Sequence, residues 1–336
     1  MSFSQLDYCQ FLLSSPFNYT QTYFAEHVEG LSHDRVNRLM RQLDVQPENL
    51  WESVQETLVT SKYGYVVFDD TVLDKRHSFK IACVKSQWSG NEHRTIKGIG
   101  VVTCVYVNPE IERFWAIDYR IFNPDVDEKS KLDHVKDMLD AAIDEKQLPF
   151  QAVLMDSWYA KRKLMDAIGD VRKKFYFAPI DCNRLVAEHQ GQHAYQRVDT
   201  LDWSDEELEK GKLVRLNDFP KEHKVQLFRV PVLANRTDLV VTNDISQDNV
   251  KTIRQVCKKR WKIEEFHREI KQLTGIESCQ CRKEKIQKNH IGCAMLVWAK
   301  LKNPAYQTGK NVYELWKSQY DQLLVGLLQN PIVRFA

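Results

Sequence analysis

The chain has 336 residues, 43% of them hydrophobic, enough to fill the core of one large domain or two ordinary ones. No apolar run reaches the roughly 18 to 20 residues of a membrane span. The N-terminal MSFSQLDYCQ lacks a secretion signal, and eight cysteines spread over this length argue for reduced thiols. The expectation is a cytoplasmic protein without disulfides or membrane contact. A net charge of +2 names no partner from the total, yet Lys251 to Lys288 holds twelve Lys or Arg against five Glu, a local excess that can offset phosphate charge.

In chain order, TYFAEHVEGLSHDRVNRLMRQL reads as two short helices broken at Gly30 and restarted by Ser32 as an N-cap. Arg35, Arg38 and Arg41 lie on the second, which is compatible with a DNA-binding helix-turn-helix. From Tyr63 the segments YGYVVFDD, IKGIGVVTCVYVN and RFWAIDYRIF read as strands. KLDHVKDMLDAAIDEK reads as a helix, FQAVLM as a buried strand ending at Asp156, AKRKLMDAIGDV as a helix and KKFYFAPI as a strand. The order β-β-β-α-β-α-β predicts an α/β fold, a mixed sheet with helices on its faces. Between about 183 and 249 isolated β segments (KLVRLNDF, KVQLFRVPVL, DLVVTND) suggest an inserted β subdomain rather than a continuation of the first sheet. A helix then starts near Asp248 to Thr252 and contains RWKIEEFHREIK, and the tail is helical. The acidic DVDEK and SDEELEKGK stretches read as solvated loops or helix starts.

On a helical wheel Ile263, Phe266, Ile270 and Leu273 form an apolar stripe that docks this helix. Arg260, Glu264, His267 and Lys271 share a second sector, and Glu265 and Glu269 fall in a third, more solvated one. Glu264 is thus the carboxylate inside a basic stripe. Two further acidic positions follow apolar runs: Asp69-Asp70-Thr71 after YVVF, and Asp156-Ser157-Trp158 after QAVLM. Carboxylates at strand ends sit at the rim of a sheet, where ligands bind in open α/β folds. Two such aspartates and one helix glutamate are a minimal set for two divalent ions about 3.5 to 4 Å apart, acting on a phosphodiester.

The pattern Arg260-x3-Glu264-x6-Lys271, with Trp261, Ile263 and Phe266 around it, resembles the Tyr-x2-Arg-x3-Glu-x6-Lys signature of insertion-sequence transposases of the DDE class. DDT followed by Lys75, and MDSWYA, resemble the two aspartate motifs of the same families in the same order. Cys257 stands where the signature has Tyr, a residue understood there as a DNA-backbone contact. The resemblance implies a helical N-terminal DNA-binding domain over 1–58 and a ribonuclease H-like catalytic core over 59–182 and 250–290. A β-rich insertion over 183–249 would interrupt that core, and a helical segment over 291–336 would follow it.

Asp69, Asp156 and Glu264 would hold two Mg²⁺ or Mn²⁺ ions, with Asp70 the alternative first ligand if the strand register differs by one. Arg260, Lys271 and His267 would meet phosphates. The partners implied are the element's terminal inverted repeats and target DNA, acted on by a homodimer in a synaptic complex in the bacterial cytoplasm. The alternative is a DNA-binding regulator on the same scaffold without strand-transfer activity. Trp158 and Trp261 are read first as packing residues, with stacking on an unpaired base as the other reading. Cys279-x-Cys281 with His290 and Cys293 has zinc-ligand residue types at a poor spacing. No phosphate-binding glycine loop and no Gly-x-Ser-x-Gly elbow occurs.

Overall fold

The computed structural model describes residues 3–76, 80–90, 92–188, 195–220, 222–233 and 236–330. Its elements are α1 (Gln5–Ser14), α2 (Gln21–Glu26), α3 (His33–Gln42), α4 (Pro47–Val54), β1 (Tyr65–Asp74), β2 (Lys85–Ser89), β3 (Arg94–Asn108) and β4 (Arg113–Phe122). There follow α5 (Pro124–Asp127), α6 (Lys131–Asp140), β5 (Ala152–Met155), α7 (Arg162–Asp166), β6 (Phe175–Ile180), β7 (Leu185–Glu188), β8 (Gln196–Arg197), α8 (Asp205–Lys210) and β9 (Lys212–Leu216). The chain ends through β10 (Val225–Leu233), β11 (Arg236–Thr242), α9 (Val250–Leu273), α10 (Glu284–Thr308), α11 (Val312–Ser318) and α12 (Asp321–Gln329). Two compact units form, one from residues 1–58, 71–101 and 266–336, the other from 59–70 and 102–265.

In the first unit the helices begin where the sequence caps them. Ser4 and Asp7 form a reciprocal capping box, Thr20 and Ser32 accept from first-turn N–H groups, and Pro47 takes the first helical position. The break at Gly30, where φ is +71°, and the restart at Ser32 agree with the sequence reading. Helices α1 and α4 were not foreseen, because each shows a single turn of apolar spacing (Tyr8, Phe11, Leu12; Leu50, Val54) that gains meaning only against α10.

Several polar groups buried under these helices find backbone partners. Asn289 donates to the carbonyls of Met40 and Leu43 at 2.8 and 2.7 Å and accepts from Val45 N at 2.9 Å, closing the end of α3. Lys75, buried, donates to the carbonyls of Glu277 and Cys279 at 2.5 and 2.7 Å. From Phe266 onward α9 also belongs here: Phe266 meets Trp298 edge to face at 4.6 Å. Glu269, 3% exposed, pairs with Lys302 at 2.9 Å and accepts from Trp298 Nε1 at 2.8 Å. The solvated sector expected for Glu269 is therefore covered by α10, while Glu265 is part-exposed and pairs with Lys262 at 2.9 Å.

The second unit is built on the sheet. Its strand order is β3-β1-β5-β6-β11-β10-β9-β7-β8, with β4 beside β3; β2 pairs with the first half of β3, in the first unit. Strands β1, β5 and β6 are parallel, joined through α6 and α7, which is the α/β arrangement the sequence predicted. Gly64 is required before β1, since a Cβ there would lie 2.3 Å from the hydroxyl of Tyr106. That hydroxyl accepts from Ser61 N and donates to the Pro149 carbonyl, tying together the chain entering β1 and the chain entering β5.

The strands of 183–249 differ from expectation. Instead of a separate subdomain they extend the same sheet: β11 pairs with β6 from Leu239↔Ile180 to Thr242↔Phe177, and β10, β9, β7 and β8 follow, each antiparallel to its neighbour. The physical reason is the free edge of β6, whose backbone groups β11 satisfies. Residues 189–194, within that segment, and 331–336, at the end of the helical tail, lie outside the described residues.

Candidate active site

Strand β5 is short, four buried apolar residues, and Asp156 follows it directly. Strand β1 does not end at Asp69 as the sequence suggested; it runs on to Asp74. What ends is its partner. The parallel pairing stops at Phe68↔Met155, so Asp69 and Asp156 occupy the next rung, where β5 has given way to a turn. Asp69 is half-buried and accepts the N–H of Asp70 at 2.8 Å. Burial, then the charges of Asp70 and Asp156, push its carboxyl well above the usual range, against the pull of that N–H and of Arg260.

Helix α9 brings the third carboxylate. Arg260, 8% exposed, places its guanidinium 3.7 Å from Asp156 and 3.2 Å from Glu264. Burial raises the Glu264 carboxyl, Asp156 adds to the rise, and Arg260 and Arg236 oppose it. Both Asp156 and Glu264 keep open sides, their side chains 44% and 37% exposed. Thus Asp156 and Glu264 meet at the buried Arg260, and Asp69 lies near enough to both Asp156 and Arg260 to feel their charges.

Asp70 faces the other way, as strand alternation requires. It pairs with Lys131 at 2.5 Å and accepts from the Tyr159 hydroxyl at 2.7 Å, and both its own and the lysine side chain are largely buried. Lys131 also lies over the rings of Phe122 and Trp158 at 5.5 and 5.7 Å. With both oxygens engaged, Asp70 is a poor candidate for an exposed cation. These partners lie 61 and 89 residues away, and nothing local in the sequence pointed to them.

The basic residues separate. Arg260 serves the carboxylates. Lys271 donates to the Val72 carbonyl at 2.8 Å and pairs with Glu277 at 3.1 Å. His267 is held neutral, its imidazolium pushed down to about 3 by burial and by the charge of Lys271, so it offers no cation to a phosphate. Arg35, Arg38 and Arg41 are exposed on α3, as are Arg254 and Lys258 on α9. Trp158 and Trp261 are not core residues, being 50% and 42% exposed, and Arg260 lies 5.4 Å from the Trp261 ring.

Cys257 lines a cavity of about 50 Å³ with Leu154, Phe177, Arg260 and Trp261. Burial pushes its thiol up to about 12, so it is no nucleophile. His290 spends Nδ1 on the Tyr8 hydroxyl at 2.9 Å and Nε2 on the Gly275 carbonyl at 3.0 Å, which leaves no nitrogen for zinc.

The family described as "Transposase DDE domain" matches residues 61–299. No curated protein sequence matches the chain. Among solved structures it resembles a piggyBac transposase synaptic complex with hairpin DNA, at TM-score 0.50 and 9% identity over 98% of this chain and 73% of that one. Weaker likenesses are a Drosophila P element transposase strand transfer complex, at TM-score 0.28 and 13% identity over 58% and 40%, and a Ciona intestinalis endonuclease V bound to an inosine-containing 24mer DNA, at 0.29 and 9% over 66% and 96%. The first shows a shared fold; the other two superpose too loosely to carry an argument.

Proposed function

The chain belongs to the family of transposases with a DDE domain, and from that premise we propose that it is the transposase of an insertion sequence, cutting at the element's ends and joining the exposed 3′ hydroxyl to target DNA. The observation that carries this reading is the convergence of Asp156 and Glu264 on Arg260, with Asp69 on the rung beside Asp156 and raised by its charge. Part-exposed carboxylates of which Asp156 opposes both Asp69 and Glu264 fit a hard divalent cation, Mg²⁺ or Mn²⁺, because oxygen donors suit such ions and positive charge relieves the repulsion. When bound, two such ions supply Lewis acidity, favouring both the attacking and the leaving oxygen of an in-line displacement at phosphorus.

The chain's own residues do the rest. Asp69, Asp156 and Glu264 hold the ions, fixed by strand pairing and by a 24-residue helix. Arg260 screens Asp156 from Glu264 and orients both. Asp70, with Lys131 and Tyr159, anchors the strand on its opposite face. Arg254 and Lys258, exposed on the same helix, and Arg35, Arg38 and Arg41 on α3 meet backbone phosphates. Lys271 and His267 act mainly within the fold rather than as free cations.

Labelled DNA carrying the ends that flank the coding sequence tests the reading. With Mg²⁺ the protein is expected to nick the ends and join them to a second duplex. Binding without cleavage would instead favour a regulator on a transposase scaffold, and the assembly that forms on DNA, expected to be a dimer, can be sized in the same reaction.

A further inference from the structure

We infer that the second unit carries a separate site for a divalent metal of the zinc type, formed by Asp166, Asp170 and His223. Donor atoms from the three residues lie within 4.8 Å of one another, the one such trio among the described residues. The site stands at the far end of β5 from Asp156, since Tyr176, which contacts it, pairs with Val153 near the start of that strand. It is therefore independent of the carboxylates assigned to catalysis.

Four features shape it. Asp166 closes α7 and Asp170 lies four residues on, in the wide turn spanning Ala167–Val171, so both carboxylates share a face; like charges at that spacing repel unless a cation intervenes. Gly169 holds this turn close to Asn243, whose side-chain nitrogen is 2.8 Å from where a Cβ would be. Asp166 Oδ2 accepts from Arg162 Nε at 3.2 Å, but its Oδ1 is sealed from solvent and has no hydrogen-bond partner, a costly state that an ion would resolve. His223, from the loop between β9 and β10, is oriented by the Phe219 ring at 4.6 Å and by the Tyr176 hydroxyl, 3.2 Å from Nε2. The Tyr176 hydroxyl and the Phe219 ring thus restrict the imidazole, as outer partners do for the histidines of metal sites.

One imidazole and two carboxylates suit Zn²⁺ and its neighbours better than Mg²⁺. A bound ion would join the α7 turn to the β9–β10 loop, linking the parallel core to the strands that extend it.

Equilibrium dialysis of the whole chain against Zn²⁺, with millimolar Mg²⁺ present to occupy the hard oxygen site, tests this. One zinc per chain is expected in the wild type, falling at least tenfold in both Asp170→Asn and His223→Gln and unchanged in Glu264→Gln. Asp170 is exposed, so Asp170→Asn disturbs no packing. No zinc on the wild type, or full retention in either Asp170→Asn or His223→Gln, overturns the site.

Discussion

Asp69→Asn is expected to lower Mg²⁺-supported cleavage of end DNA by about a thousandfold while leaving the fold intact. The estimate follows from the several kcal/mol that metal ions contribute to such transition states, at about 1.36 kcal/mol per factor of ten. Removing this charge also relieves the repulsion from Asp70 and Asp156 that raises the Asp69 carboxyl, so resistance to urea should hold or improve. Asp70→Asn should behave in the opposite way. It strips the largely buried Lys131 of its carboxylate, at a cost of up to about 3 kcal/mol, and its activity should follow the folded fraction. An active Asp69→Asn beside an inactive, stably folded Asp70→Asn would reverse the assignment.

The largest stability effect is expected at Glu269, one helical turn beyond Glu265. Glu269→Ala leaves the Lys302 ammonium, 8% exposed, facing a cavity, and takes the acceptor from Trp298 Nε1. Truncating one partner of a buried ion pair costs about 3 to 5 kcal/mol, whereas replacing both with apolar groups of similar size is often neutral. Urea unfolding should therefore show a loss of that order for Glu269→Ala and recovery of most of it in the Glu269→Met, Lys302→Met double variant. A loss below about 1 kcal/mol would mean that the pair is effectively solvated.

These two cases show what can be read from the chain before it folds. The helix period identified the docked stripe of Ile263, Phe266, Ile270 and Leu273, all buried, and set Glu264 apart from Glu265. The wheel gives angles, however, not which sectors a neighbour covers, so Glu269 looked solvated until Trp298 and Lys302 came to rest on it. The apolar run before Asp156 located the end of β5. The similar run before Asp69 misled about β1, because the interruption lies in the partner strand and not in β1 itself. Likewise the β segments after 183 have the right period for strands, but only pairing with the open edge of β6 decides that they extend one sheet. Asp70, Lys131 and Tyr159 meet across long stretches of chain, and no local pattern encodes such a contact.

The central claim is that Glu264, alone among the acidic residues of RWKIEEFHREIK, belongs to the reacting site. It is tested most directly by comparing wild type and Glu264→Gln on the same labelled end DNA, with binding and Mg²⁺-dependent cleavage measured in one preparation. Glu264→Gln is expected to bind as the wild type does, with cleavage reduced by about a thousandfold. Cleavage by Glu264→Gln at the wild-type rate would contradict it.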